Sequence, residues 1–156
     1  MIIEIQGDLL ETDCQLICHG VNTQGVMGSG VAKALYEKWP RVKDMYLDYF
    51  TEFNAGIEGE NFLGHIDVFC VDRNSGLEVA NCFTQQYYGP ADHRYLSYDA
   101  LDNCMKRLYS YCNQRNIKEI AMPKIGCGLA GGDWTIVKAI LESVFKDEIT
   151  VKVYIK

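Results

Sequence analysis

Only three of the 156 residues are proline and three are histidine. So few prolines leave no stretch that reads as a polyproline spacer, and there is no repeat, linker or low-complexity segment. The histidines, at 19, 65 and 93, have no metal-like spacing. Seven cysteines (14, 18, 70, 82, 104, 112 and 127) form no C-x-x-C pair, and an odd count argues against a disulfide framework. Six of them fall in apolar or helix-periodic segments, where cysteine behaves as a small core hydrophobe. A reducing cytoplasm is the expected compartment. Basic residues are also short: 15 Lys and Arg face 21 Asp and Glu, for a net charge of −6. Duplex nucleic acid normally meets a basic footprint, so it is not an expected partner, whereas a small anion held by local dipoles is compatible with this balance. No apolar run approaches the roughly 18 residues of a membrane span. The opening MIIEIQGDLL lacks the basic start of a signal peptide. A membrane is not an expected partner.

What is present is a 48% hydrophobic chain of a length that fits one domain, residues 1–156. Residues 1–6 alternate as a strand, GDLLETD reads as a turn or short helix, and 15–21 reads as a buried strand. A helix starts at Ser29 or Gly30 and runs to Lys38. Trp39-Pro40 breaks it, and Pro40 suits the first position of another helix. That helix places Val42, Met45, Tyr46, Tyr49, Phe50 and Phe53 on one face. Residues 65–71 and 77–83 flank the turn signal DRNSG and predict a hairpin. Ser97 is a plausible N-cap for a helix to Arg115, with Leu101, Cys104, Met105, Leu108, Tyr111 and Cys112 on its apolar face. A strand at 117–122, a helix capped by Asp133 and a strand at 150–155 complete the chain. Strands interleaved with helices around one hairpin predict a mixed sheet covered on both faces.

Seven of the 14 glycines crowd into two places. NTQGVMGSGVAKAL at 22–35 leads from a strand into a helix, and PKIGCGLAGGDW at 123–134 does so again. A helix N-terminus offers unpaired N–H groups, and glycine lets backbone approach a phosphate. Glycine also serves plain tight turns. Two such loops at the same end of neighbouring strands point to a ligand with two phosphates, or a phosphate and a sugar. Residues 126–131 match G-x-G-x-x-G, but the next strand, VKVYIK, carries no acid for a ribose, so the dinucleotide-binding reading fails. No G-x-x-x-x-G-K-[ST] occurs, which excludes a P-loop. A cysteine phosphatase would carry an arginine after its cysteine, but Asp133 stands six residues beyond Cys127. Cys127 is either a loop-packing residue or a thiol lowered by the helix N-terminus.

GDLL at 7–10, HGVNTQGVMGSGVA at 19–32, PKIGCGLAGGDW at 123–134 and the terminal VKVYIK together resemble a macrodomain, the ADP-ribose-binding fold. The similarity spans essentially the whole chain, and the nearest subgroup is the small macrodomains described as Appr-1-p processing proteins. The resemblance implies an α/β fold, a three-layer α/β/α sandwich with a mixed six-stranded sheet and a cleft across the strand ends. It implies ADP-ribose or ADP-ribose 1″-phosphate as ligand, with no cofactor and no metal. Asp8 then matches the acceptor for the adenine amino group, with Leu9 beside the ring and Tyr154 stacked on it. Gly28, Ser29, Gly30 and Val31 would wrap the distal ribose and one phosphate. Ile125, Gly126, Cys127, Gly128, Leu129 and Ala130 would hold the diphosphate. Asp8 could instead be a helix cap, Tyr154 an edge-strand aromatic and His19 a hydrogen-bonded core histidine. The activity implied is phosphate removal from ADP-ribose 1″-phosphate, with His19 as general base and Asn22 orienting ribose hydroxyls or water. Alternatives are a non-catalytic ADP-ribose reader and a weak hydrolase of O-acetyl-ADP-ribose or ADP-ribosyl esters. Relatives that cleave ADP-ribose from protein or DNA use a lysine where this chain reads CFTQQYYG, and Gln85 and Gln86 supply none. The acid some of them place after GCGL is Ala130 here.

Overall fold

The structure is a computed structural model describing residues 1–53, 62–90 and 92–156. Six strands, β1 (Ile2–Gln6), β2 (Leu16–Asn22), β3 (Ile66–Asp72), β4 (Leu77–Gln85), β5 (Glu119–Met122) and β6 (Thr150–Ile155), form one sheet in the order β1-β6-β5-β2-β4-β3. All neighbours pair in parallel except β3, which returns antiparallel on β4 as the predicted hairpin. Among the described residues four α-helices cover it: α1 (Gly30–Lys38), α2 (Arg41–Phe53), α3 (Tyr98–Arg115) and α4 (Trp134–Phe145).

Side-chain alternation along the strands divides the core in two. Leu16 and Cys18 of β2 join Ala80, Cys82, Ile120, Met122, Val151 and Val153 under α3 and α4. Ile17 and Val21 point the other way, with Val79, Phe83 and Ala121, against Leu35 of α1 and Val42 and Tyr46 of α2. The period-2 strands and the 3.6-period helices thus fit together as three layers. The expected α/β/α sandwich with a mixed six-stranded sheet is the one found.

Several details differ from the sequence reading. Pro40 lies just before α2, where its carbonyl accepts from the Asp44 N–H at 3.2 Å. β5 starts two residues late because Asn116, in a left-handed conformation at φ 57°, closes α3, and the Ile117 N–H returns to the Cys112 carbonyl. Phe53 falls on the expected apolar face of α2 yet remains exposed.

The parallel strands place their C-terminal ends along one edge of the sheet. Asp8 follows β1, Tyr154 lies near the end of β6, the 123–132 loop follows β5, the 22–29 loop follows β2 and residues 86–97 follow β4. At about 4.8 Å per strand, β1 to β4 spans roughly 19 Å.

Candidate ligand-binding cleft

A cleft of about 520 Å³ opens at that edge between the two glycine loops. Residues 19–22 and 26–32 form one wall, 123–130 the other, and Gln85, Tyr88, Gly89 and Tyr95 close the β4 end. Gly28, Ser29, Gly30, Val31 and all six residues Ile125–Ala130 line it, as do His19 and Asn22. Asp8, Leu9 and Tyr154 do not. They form a separate group beyond the β6 end, where Asp8 Oδ1 accepts from the Leu10 N–H at 3.0 Å and Oδ2 lies 3.3 Å from Lys156 Nζ. Leu9 is buried there, and the Tyr154 hydroxyl lies 2.9 Å from Thr12 Oγ1. Asp8 is therefore a cap in this structure, its carboxyl held below the usual range first by the Leu10 N–H.

The two loops offer N–H groups in different ways. Ser29 starts α1 without a side-chain cap, so the first amides of that helix face the cleft uncovered. α4 is closed: Asp133 accepts from the Thr135 N–H at 2.8 Å, and the cleft wall stops at Ala130. The second loop presents its own amides instead. Those of Cys127, Gly131 and Gly132 bond to the Lys124, Gly128 and Gly126 carbonyls. Among the described residues nothing accepts from the Gly128 or Leu129 N–H. The expectation that both loops use a helix N-terminus holds for the first alone.

The glycines also differ in kind. A Cβ on Gly126 would lie 2.7 Å from Leu96, and one on Gly132 2.6 Å from the Gly126 carbonyl, so packing demands glycine there. Gly30 has φ +60°, which disfavours any side chain. Gly28 and Gly128 have no positive φ, and a Cβ on either would meet nothing within 4 Å.

His19 is buried on the α2 side of β2, with Nε2 2.5 Å from Asn81 Oδ1. The Asn81 amide nitrogen donates to the Val42 carbonyl, so Oδ1 faces the ring and Nε2 is the protonated nitrogen. Among the described residues Nδ1 is left as a bare acceptor without a partner. Burial lowers the imidazole to about 4. An imidazole with that pKa is neutral but weakly basic, which corrects the general-base role read from an ordinary value near 6.5. Asn22 is committed to its own loop: its Nδ2 donates to the Val26 carbonyl at 2.8 Å, and its Oδ1 accepts from the Gln24 N–H and the Tyr46 hydroxyl. It shapes the wall. The Cys127 thiol donates to the Ile125 carbonyl and is raised chiefly by burial, which favours its loop-packing role.

Sequence reasoning passed over Tyr46, Asn81, Tyr88 and Tyr95. Tyr46 sits on the apolar stripe of α2 and looks like plain core, yet its hydroxyl binds both Asn22 and the Gly25 N–H. Burial raises that hydroxyl to about 12, so it stays a donor. Asn81 interrupts a buried strand, the one signal that could have exposed it. Among the described residues no carboxylate lines the cleft, and the one lysine that does, Lys124, stands 3.9 Å from Glu4 and 5.5 Å from the Trp134 ring centroid. The cleft suits an anion.

The Macro domain family model matches residues 18–141. This chain belongs to the macrodomain family. It is 32% identical over 147 residues to an uncharacterised 17.5 kDa protein of Enterobacteria phage T4, covering 92% of this chain and 90% of that one. It is 25% identical over 168 residues to an ADP-ribose 1″-phosphate phosphatase of Candida albicans, covering 99% of each. A DNA ADP-ribosyl glycohydrolase of Mycobacterium tuberculosis is 28% identical over 149 residues, but the match spans 94% of this macrodomain and only 39% of that protein. The macrodomain structure of Mycobacterium tuberculosis DarG superposes with a TM-score of 0.83 at 26% identity, covering 100% of this chain and 98% of that one.

Proposed function

We propose that the cleft binds ADP-ribose, adenine toward Asp8 and Tyr154 and distal ribose toward β4, and releases phosphate from ADP-ribose 1″-phosphate. Gly28 and Gly128 carry this reading. The fold requires glycine at neither position, whereas backbone in contact with a phosphate oxygen does. Unpaired amides on both walls would share the anionic groups between them. The similarity to the Candida albicans phosphatase, which runs the length of both chains, supports the reaction.

In the proposed reaction a water adds to phosphorus, the P–O1″ bond breaks, and the leaving ribose oxygen takes a proton. The products are ADP-ribose and inorganic phosphate. A phosphate oxygen of the substrate takes the proton of the attacking water, since the His19 ring is buried behind the cleft wall and too weakly basic to hold it. Amides of Gly28–Val31 stabilise the charge that shifts onto the phosphate, without rearrangement. The cytoplasm is the proposed compartment, since free cysteines suit reducing conditions.

A reader that binds without turnover is the second reading. It is favoured by the lack of a carboxylate among the described residues of the cleft lining and by Gln85, whose amide donates to the Tyr87 carbonyl where a lysine would serve glycosidic chemistry. Calorimetry with ADP-ribose, AMP and ribose 5-phosphate, followed by a phosphate-release assay on ADP-ribose 1″-phosphate, tests both. ADP-ribose should bind far more tightly than either fragment, because it alone reaches both loops. Binding without phosphate release from pH 5 to 9 selects the reader, and no binding ends both readings.

A further inference from the structure

The proposed reaction leaves one proton without a source, the one that O1″ of the distal ribose receives as it departs. An alkoxide is a poor leaving group, so an acid positioned beside O1″ lowers the barrier. Among the described residues that line the cleft, His19, Ser29, Tyr88, Tyr95, Lys124 and Cys127 carry an ionisable proton on a side chain. Most of these are engaged or misplaced. His19 holds its Nε2 proton against Asn81 inside the core. The Tyr95 hydroxyl donates to the Pro90 carbonyl at 2.9 Å, and the Cys127 thiol donates to the Ile125 carbonyl. Lys124 follows β5, with β2 between it and β4, and stands 3.9 Å from Glu4. Ser29 and Tyr88 remain, and a phenol is a far stronger acid than an aliphatic hydroxyl.

Tyr88 is also held in place. It lines the β4 end of the cleft, toward which the distal ribose is proposed to point, and is 54% exposed. The Gln85 side-chain amide donates to the Tyr87 carbonyl at 2.8 Å. The Thr23 N–H and hydroxyl both donate to the Gln86 carbonyl at 3.3 Å, which ties this segment to the first glycine loop. Beyond Tyr88, a Cβ on Gly89 would meet the Tyr95 hydroxyl at 2.6 Å, so the backbone there lies against that side chain. Burial first, and Tyr88 to a smaller degree, raise the Tyr46 hydroxyl, which bonds the Gly25 N–H. Tyr88 is therefore within electrostatic reach of the first loop. We infer that Tyr88 is a catalytic residue that donates its hydroxyl proton to O1″ as the P–O1″ bond breaks. The electron pair of that bond stays on O1″, which becomes the ribose hydroxyl. The tyrosinate left behind regains a proton from the dihydrogen phosphate just formed, so the net products are ADP-ribose and monohydrogen phosphate. This assignment rests on the phosphatase reading of the cleft.

The test is Tyr88→Phe in the full chain, with Ser29→Ala beside it. Phosphate release at saturating ADP-ribose 1″-phosphate should fall by about 10²–10⁴-fold in Tyr88→Phe. Its ADP-ribose affinity by calorimetry should stay within about tenfold of the wild type, the worth of one neutral hydrogen bond. The heavy-oxygen isotope effect at the bridging O1″ should grow in this variant, because the oxygen then departs without its proton. A fall in rate short of that range, or an unchanged isotope effect, overturns the assignment while the phosphatase reading stands. A loss of affinity as large as the loss of rate makes Tyr88 a binding residue and overturns it too. The same follows if Ser29→Ala carries the whole loss and Tyr88→Phe turns over normally, which moves the donor to the start of α1. No phosphate release by the wild-type protein ends the phosphatase reading, and the role of Tyr88 ends with it.

Discussion

The imidazole of His19 is 1% exposed, held by Asn81 through Nε2 and unpartnered at Nδ1, and burial lowers its pKa to about 4. In the unfolded chain the same ring takes a proton near 6.5. The folded-state value lies below the unfolded one, so the stabilisation from keeping the ring neutral is complete above 6.5. It fades as pH falls toward 4 and is lost below that, a total of about 3 kcal/mol. His65, also lowered by burial, acts with the same sign, so a difference measurement is needed. Urea unfolding from pH 7 to 4.5 should show a shallower acid limb for His19→Gln than for the wild type. Parallel limbs would mean that His19 titrates normally and could act as the base after all. The chain's wording, HGVN, marks His19 as interesting but does not disclose this. A single sequence does not show that Asn81, 62 positions away, sits opposite it on β4.

Among the elements, the two glycine loops were legible because strand, glycine cluster and helix follow one another in the chain. Their difference was not. Asp133 reads as a good cap and is one, which removes α4's N-terminus from the cleft, whereas the Ser29 side chain makes no capping bond and leaves α1 open. Gly128→Glu and Gly28→Glu should each abolish ADP-ribose binding with a normal circular dichroism spectrum, because both side chains enter open space where phosphate oxygens would lie. Normal affinity in well-folded variants would make the loops structural turns. Gly30→Glu is a poorer test, since φ +60° strains the backbone as well. Tyr46→Phe probes the first loop from behind. It keeps the ring, strands the Gly25 N–H and removes one of the two donors to Asn22 Oδ1, so it should cost about 1–3 kcal/mol in chemical denaturation. ADP-ribose affinity should weaken in parallel. An unchanged midpoint would show that the hydroxyl supports nothing.

For the whole molecule, the sequence carried the layer order and the hairpin, since each follows from local periodicity. The strand order needed partners far apart in the chain: β1 and β6 pair, yet they are the first and last strands. The cleft without a carboxylate also has a consequence for encounter rates. A ligand with two phosphate charges approaching a body of charge −6 is repelled at a distance and attracted only at the loops. The screening length shrinks from about 30 Å at 0.01 M salt to about 10 Å at 0.1 M, so added salt removes the repulsion before it reaches the amides. Stopped-flow association of ADP-ribose should therefore quicken from 10 to 100 mM NaCl, with the dissociation rate nearly constant. A rate that slows instead would place an attractive field well outside the cleft, contributed by Lys124 and Lys156 at its β5–β6 side.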